Sequence, residues 1–142
     1  MHLSYQVHSG DFSNAGSVSS TIKTILKQLN VSTNDIKRIV VALYEAEVNV
    51  VAHSYGGQIL CDIEPEQAVI QVIDTGPGIP DLDLAMTEGW STASAKIREM
   101  GFGAGMGLPN IKKNTDRLSI KTAAGEHTHI QMVFTLKEGH NA

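Results

Sequence analysis

Apolar residues follow two different periods in the first third of the chain. Leu3 to His8 alternates apolar and polar residues, which predicts a short half-buried strand. From Ala15 to Leu29, and again from Ser32 or Thr33 to about His53, apolar residues recur every three or four positions. This spacing predicts two amphipathic helices.

The rest of the pattern predicts one more helix and four more strands. Ile59 to Ile63 and Ala68 to Ile73 are expected to form a hairpin, because only a short turn separates them. A helix is predicted over Met106 to Thr115, followed by strands at Leu118 to Thr122 and Thr128 to Leu136.

Elements of this kind favour an α/β protein. We predict a two-layer α/β sandwich with a mixed sheet of about five strands and about three helices on one face. A chain of 142 residues has the size of one domain, so 1–142 is expected to be a single domain. The stretch from Thr75 to Gly105 is rich in turn residues, with one short helix expected near Asp83 to Thr87, and such long irregular segments are usually functional.

Composition and charge indicate which kinds of binding partner and which cellular compartment to expect. With 42% hydrophobic and 18% charged residues the chain is expected to be globular, and a net charge of −4 argues against nucleic acid as a partner. Its apolar runs are shorter than the ~20 residues that span a bilayer, so no membrane segment is expected. A lone Cys61 and an N-terminus without a signal-peptide pattern favour the cytoplasm.

The second helix carries a candidate catalytic and metal-binding pair. Glu45 and Asn49 are four residues apart and so share a face, with His53 one turn further on. Mg²⁺ accepts a small number of protein oxygens, and one amide oxygen from Asn49 suits it. Glu45 could then take or orient the proton of an attacking hydroxyl. The alternative is a solvated helix face, but Asn49 lies within an apolar stretch, where a buried amide needs a partner.

Asp74 is the candidate for recognition of a base. It follows an apolar strand, so its carboxylate is expected at the strand end, where it can accept a hydrogen bond from an adenine amino group. Gly76 and Gly78 leave room beside it. An ordinary Asp-x-Gly turn is the alternative.

Four alternating glycines form a candidate phosphate-binding strip. Gly101, Gly103, Gly105 and Gly107 match neither the dinucleotide fingerprint nor a P-loop. Their backbone amides, together with the N-terminus of the helix that opens at Met106, could surround phosphate. A flexible hinge is the competing interpretation.

Several other side chains could bind a ligand or a metal. No individual role is predicted for the basic residues that flank the glycines, and Cys61 is expected to pack within the sheet. His127 and His129 would face the same side of a strand, but without a third ligand they are expected to be ordinary surface histidines. The flanking basic residues are Lys96, Arg98, Lys112, Lys113 and Arg117.

These motifs resemble those of the GHKL ATPases, the superfamily of gyrase, Hsp90, histidine kinases and MutL. Within it the chain looks like the small anti-sigma factor serine kinases and the related stressosome switch kinases, over nearly its whole length. Glu45-x-x-x-Asn49-x-x-x-His53 matches their first motif. Met86-x-x-Gly89-Trp90-Ser91-Thr92, followed by Gly105-Met106-Gly107-Leu108-Pro109, resembles the switch-kinase lid.

The resemblance implies a role for each matched residue. Glu45 would be the catalytic base, Asn49 would hold Mg²⁺, Asp74 would bind adenine, and Thr128 would support Asp74. The implied ATP-binding set is Asn49, His53, Asp74, Gly76, Gly78, Gly101, Gly103, Gly105, Met106, Gly107, Leu108 and Thr128. The chain departs from the family at His127, where glycine is frequent, and in the longer segment from Ala95 to Met100.

The resemblance also implies a function. We expect an ATP- and Mg²⁺-dependent protein serine/threonine kinase that acts as a partner-switching regulator, like an anti-sigma factor. It would phosphorylate a STAS-domain antagonist protein, and some similar kinases also sequester a sigma factor; a homodimer is compatible with the likeness. The alternatives are a non-catalytic anti-sigma or adaptor module and a plain ATP hydrolase.

Overall fold

The computed structural model describes residues 1–53, 56–75, 107–121 and 127–137. Five strands and three α-helices lie within these ranges, together with one turn of 3-10 helix at Phe12–Asn14. In chain order they are β1 (His2–Val7), α1 (Ser17–Gln28), α2 (Thr33–His53), β2 (Gly57–Ile63), β3 (Gln67–Asp74), α3 (Gly107–Asn114), β4 (Arg117–Lys121) and β5 (His129–Thr135). Each strand and helix predicted within these ranges is present, with ends that differ by about one or two residues. The short helix expected near positions 83–87 lies outside them.

The strands form one sheet in the order β1-β2-β3-β5-β4. All four strand pairings within the described residues are antiparallel, so the expectation of a mixed sheet was wrong in that detail. The reason is topological. Two helices connect β1 to β2 and return the chain to the end where β1 finished, while β3 and β4 run in the same direction but are separated by β5.

One face of the sheet is apolar and is covered by the helices. On β2 and β3 the buried side chains alternate along each strand, and β5 follows the same alternation except that Val133 is buried as well. The buried residues lie opposite one another, as in the register pairs Ile59 with Val72 and Ile70 with Met132. Buried residues of all three helices belong to the same core. The two-layer α/β sandwich with helices on one face is therefore confirmed.

The second helix is the central element of the helical layer. Its core stripe is completely buried at Ile39, Leu43 and Ala46. Ser32 caps its start, since the Asp35 amide donates to Ser32 Oγ at 3.2 Å. Both α1 and α3 pack against α2, and α2 in turn contacts β3 and β1.

A buried carboxylate on α2 caps the start of α1. Gly16 is the N-cap residue, with φ +92°, and has no side chain to accept hydrogen bonds from the first turn. Glu47, which is only 1% exposed, replaces that cap. Its Oε2 accepts hydrogen bonds from the amides of Gly16 (3.0 Å) and Val18 (3.1 Å), and its Oε1 from the amide (3.0 Å) and hydroxyl (2.7 Å) of Ser19. A negative charge at a helix N-terminus also interacts favourably with the helix dipole. Glu47 thus joins α1 to α2.

An arginine near the start of α2 connects it to α3, to β5 and to the turn between α3 and β4. Arg38 donates to Asp35 Oδ1 at 3.0 Å, to Asp116 Oδ2 at 3.2 Å, and to the carbonyl oxygens of Asn114 (3.3 Å) and Thr135 (3.2 Å). Burial raises the pKa of Asp35, but hydrogen bonds from the Lys137 amide, the Arg38 guanidinium and Ser32 outweigh it, so the pKa lies below its ordinary value. The ionised cluster fixes the start of α2 against the ends of α3 and β5.

Replacing Glu47 by Gln should destabilise the fold. Glutamine keeps the size of the side chain but replaces one acceptor oxygen with an NH₂ group, leaving buried amides of α1 without a partner. We expect the free energy of unfolding to fall by about 2–4 kcal/mol, measured by urea denaturation. Glu64→Gln, which changes an exposed glutamate, is the control. Equal urea midpoints for Glu47→Gln and the wild type would contradict this role.

Candidate functional site

Two of the predicted site residues lie half-buried on the same face of α2. Glu45 and Asn49 are partly exposed, while Ala46, Val48 and Val50 around them are buried. The core therefore fixes the helix, and the two polar side chains face the margin of the helical layer. The sequence predicted a buried amide at Asn49; the structure makes it half-buried, because Asn49 lies at the edge of the core stripe.

Glu45 contacts a residue on α3. Asn110 Nδ2 donates to Glu45 Oε1 at 3.4 Å, at the long end of the hydrogen-bond range. Burial raises the pKa of Glu45 above its ordinary value, and the hydrogen bond from Asn110 partly opposes that rise. A carboxylate in such surroundings is a stronger proton acceptor than one in water, which is a property expected of a general base.

The packing of α3 directs its N-terminus toward Asn49. Arg38, early on α2, contacts the carbonyl of Asn114 at the end of α3, whereas Glu45, two turns later, contacts Asn110. The two helices are therefore antiparallel. Following both helices further brings the first residue of α3, Gly107, alongside the turn of α2 that carries Asn49. A helix N-terminus is a favourable place for an anion.

Asp74 and Thr128 are brought together by β3 and the residues before β5. The Thr128 amide donates to Asp74 Oδ1 at 3.2 Å, and the Asp74 amide donates to the Thr128 carbonyl at 2.9 Å. Thr128 is buried, with 3% of its surface exposed. This pairing fixes the Asp74 carboxylate at the end of β3.

Two glycines connect this strand end to the end of α2. Gly57 lies opposite Asp74 in the sheet register, and the Thr75 amide donates to the Gly56 carbonyl at 3.0 Å. Since Gly56 is only three residues beyond the end of α2, the helix turn with Asn49 and the Asp74 carboxylate are at the same end of the sandwich. A Cβ atom at Gly57 would lie 2.7 Å from the Ile73 carbonyl oxygen, so this close approach requires glycine.

Half of the predicted binding set falls outside the residues that the structure describes. Those residues are Gly76, Gly78, Gly101, Gly103, Gly105 and Met106. His53 and Gly107 are the last residue of α2 and the first of α3. Leu108 is buried in the core, so a nucleotide could contact it only through its backbone.

Two residues of this region were not predicted as functional. Asn110 contacts Glu45, which is 65 positions earlier in the sequence, and Glu47 contacts the start of α1, about 30 positions earlier. Asn110 lies outside the motifs described above, and Glu47 is an unspecified position within the first of them. Only the folded structure shows which residues they contact. The one available signal was Glu47 itself, a carboxylate in an otherwise apolar helical stretch, which needs hydrogen-bond partners when buried.

Lys96 and Arg98 lie outside the described residues, whereas His129 and Cys61 lie in strands of the sheet. His129 Nε2 lies 2.8 Å from Gln71 Oε1 on the face of the sheet away from the helices. No group of three or more potential metal ligands occurs within the described residues. Cys61 is completely buried in the sheet, as predicted, and burial, with a smaller effect of Asp62, raises the pKa of its thiol to about 12.

Comparison with known proteins decides the family. The model of the histidine kinase-like ATPase domain matches residues 10–134. The chain belongs to this family of ATPase domains. The described helices include none that is long and apolar enough to cross a membrane.

Relatives in the histidine kinase-like ATPase family include both a kinase and anti-sigma factors. The serine/threonine-protein kinase RsbT of Bacillus subtilis is 34% identical over 119 residues, which are 81% of this chain and 84% of RsbT. An anti-sigma F factor of Thermoanaerobacter sp. is 28% identical over 118 residues, covering 80% of this chain and 79% of that protein.

Solved structures of low identity share the fold. The structure of the RsbU and RsbW domains of Rv1364c from Mycobacterium tuberculosis has a TM-score of 0.67 at 18% identity and covers 99% of this chain. The chain spans 34% of that structure's length. The mycobacterial sensor histidine kinase MprB has a TM-score of 0.54 at 17% identity, covering 96% of this chain and 99% of that one.

Replacing Gly57 by Ala should disturb the strand end that holds Asp74. The new Cβ would press on the Ile73 carbonyl and on Asp74, which we expect to cost about 1–3 kcal/mol in the free energy of unfolding. It should also speed hydrogen exchange of the Thr128 amide, measured by NMR. Gln58→Ala, which removes an exposed hydrogen bond from the next residue, is the control. Wild-type stability and exchange in Gly57→Ala would contradict the need for glycine.

Proposed function

We propose that the protein is an ATP- and Mg²⁺-dependent serine/threonine kinase that regulates a partner protein by switching its phosphorylation state. Membership of an ATPase family and the 34% identity to the kinase RsbT support a nucleotide-dependent phosphotransferase. Anti-sigma F factors among the relatives support a regulatory role. We further propose that the phosphate acceptor is a serine or threonine of a STAS-domain protein, and that a sigma factor or similar regulator is the other partner.

The observation that carries the proposal is the placement of Glu45. Its half-buried carboxylate has a raised pKa and lies between α2 and α3, one turn from Asn49 and beside the helix whose N-terminus points toward that turn. A protein that only binds a nucleotide has no need for a proton acceptor there. A kinase does, because the attacking hydroxyl must lose its proton.

The proposed reaction is a direct transfer. The acceptor hydroxyl oxygen forms a bond to the γ-phosphorus of ATP, while the bond from that phosphorus to the β,γ-bridging oxygen breaks and ADP leaves with the electron pair. The hydroxyl proton passes to the Glu45 carboxylate. A raised pKa favours this step, since the carboxylate then holds the proton more strongly.

Asn49 suits a magnesium ion by its chemistry. Its amide oxygen is a hard neutral ligand on the same helix face as Glu45, and it is partly exposed, so water and phosphate oxygens could complete an octahedron. Bound Mg²⁺ would neutralise charge on the phosphates.

Asp74 is proposed to bind the adenine amino group. Its backbone and Oδ1 are fixed by Thr128, which supports a defined direction for the carboxylate. We also propose that the glycines that follow β3 in the sequence, and those that lead into α3, line the nucleotide through their backbone.

Replacing Glu45 by Ala should abolish transfer but retain binding. We expect the rate of phosphorylation of a STAS partner, measured with labelled ATP, to fall by about 10²–10⁴-fold, the contribution of a positioned general base. Affinity for Mg-ATP should be unchanged. Glu66→Ala, on the exposed turn between β2 and β3, is the control. Undiminished transfer by Glu45→Ala would refute the assigned base.

Replacing Asp74 by Asn should weaken nucleotide binding. Asparagine keeps an oxygen for the Thr128 amide but loses the charged acceptor for the adenine amino group. We expect the Kd for Mg-ATP in calorimetry to rise about 10–100-fold, the effect of losing a hydrogen bond to a charged group. Asp62→Asn, at the other end of β2, should bind normally. An unchanged Kd for Asp74→Asn would remove Asp74 from the site.

A second candidate function follows from the anti-sigma F factors among the relatives. The protein would then bind its partner under the control of nucleotide and transfer no phosphate. A pull-down in ATP and in ADP, followed by mass spectrometry of the retained proteins, separates the two functions: phosphoserine or phosphothreonine in a retained partner supports the kinase, and its absence supports the binding module.

A further inference from the structure

We propose that Asn110 is a positioning residue for Glu45, and that it holds the Glu45 carboxylate in place through its side-chain amide. This inference rests on the proposed role of Glu45 as the base. The contact joins Asn110 Nδ2 to Glu45 Oε1 at 3.4 Å, and it crosses from α3 to α2. An ionised carboxylate only accepts hydrogen bonds, so Asn110 must present its NH₂ group to it.

Both ends of this contact are attached to rigid parts of the core. Ala46, next to Glu45, is completely buried, and Leu108 and Ile111 on either side of Asn110 are 6% and 0% exposed. Asn114 Nδ2 also donates to the Asn110 carbonyl at 2.8 Å, which supports the backbone of this turn. A hydrogen bond between two fixed side chains orients the base more closely than one from a mobile loop.

The hydrogen bond leaves a free oxygen for chemistry. Within the described residues the structure gives a hydrogen bond to Oε1 of Glu45 and none to Oε2. Fixing Oε1 therefore orients Oε2 without occupying it. The amide also favours the ionised form that a base requires, in opposition to burial.

Among the described residues, no charged side chain competes with Asn110 for its effect on the pKa of Glu45. On α2 itself, the nearby Glu47 carboxylate is bonded to the first turn of α1. Within the described residues, the pKa of Glu45 responds first to burial and then to the Asn110 amide, and to no charged group. The titratable or charged residues on the elements that contact α2 are Lys23 and Lys27 on α1, Lys112 and Lys113 on α3, Asp74 on β3, and His2 and Tyr5 on β1.

Burial and the Asn110 hydrogen bond shift the pKa of Glu45 in opposite directions, which fixes how the transfer rate should change with pH. Transfer should fall with decreasing pH as Glu45 becomes protonated. In Asn110→Ala the amide is lost and burial acts alone, so the pKa of Glu45 should rise and the acid limb of the pH–rate profile should move to higher pH. The rate at acidic pH should then fall several-fold more, relative to wild type, than the rate on the alkaline plateau. On the alkaline plateau kcat should fall on the order of tenfold, part of the ~10²–10⁴-fold contribution of a positioned base, with KM for ATP unchanged.

The experiment compares the wild type with Asn110→Ala, Asn110→Gln and the control Asn34→Ala. The pKa of Glu45 is measured by carboxyl-carbon NMR, with its signal assigned by its loss in Glu45→Gln, and the pH–rate profile is recorded for each variant. The pKa and the acid limb should rise in Asn110→Ala and return toward wild type in Asn110→Gln, which restores an amide. Asn34→Ala removes an exposed amide from the start of α2, about three turns before Glu45, and should leave both unchanged.

The outcomes separate the inference from the proposed function. If Glu45→Gln abolishes transfer but Asn110→Ala has the wild-type pKa and profile, the role of Asn110 is wrong and the kinase assignment stands. If Glu45→Gln transfers phosphate normally, the assigned base is wrong, and with it the positioning role. The NMR titration needs no activity, so it tests the contact between Asn110 and Glu45 in either case.

Discussion

The structure depends on the burial of one apolar sheet face under α2. Ile39, Leu43 and Ala46 are completely buried against a sheet surface that includes Ile59 and Phe134. Each of the larger side chains contributes roughly 1.5–3 kcal/mol when removed from water, and alanine contributes less. Sliding or turning α2 would expose several of them at once. The core therefore fixes the helix, and it fixes Glu45 and Asn49 with it, because they occupy the neighbouring face.

Two polar connections then orient the other elements on α2. Glu47 holds the first turn of α1 with four hydrogen bonds, and Arg38 joins the start of α2 to the ends of α3 and β5. Both use a charged group that is largely or partly removed from water, where an unpaired partner would be costly. Such contacts are directional, unlike apolar packing. They set the angle and the position of each helix, which the hydrophobic core alone leaves less defined.

The candidate site combines three separate segments at one end of this frame. The last turns of α2 supply Glu45 and Asn49, the end of β3 supplies Asp74, and α3 supplies Asn110 and its own N-terminus. No segment contains a complete site. The arrangement suits a nucleotide whose adenine ring and phosphates contact different elements. Glu45, the proposed general base, then lies between the two helices and close to the expected position of the phosphates. The family membership and the similarity to RsbT agree with this use of the frame.

The sequence by itself determined most of the local structure and the family. Period-two and helical patterns identified all eight described strands and helices, because burial on one face imposes those periods. The motifs around Glu45, Asn49 and Asp74 carried the resemblance to this superfamily, and the match of the histidine kinase-like ATPase domain to residues 10–134 confirmed the family. The pairing of Asp74 with Thr128 was also anticipated from the resemblance.

Only the tertiary structure decided how these pieces meet. The all-antiparallel sheet follows from the insertion of β5 between β3 and β4, which no local pattern encodes. The roles of Glu47 and Asn110 arise from partners far away in the chain, and a single residue in a helix carries no signal of what a different helix presents to it. The half-burial of Asn49 likewise depends on how the sheet and the other helices cover α2. Contacts between distant segments are properties of packing, and so they become visible only when the chain is folded.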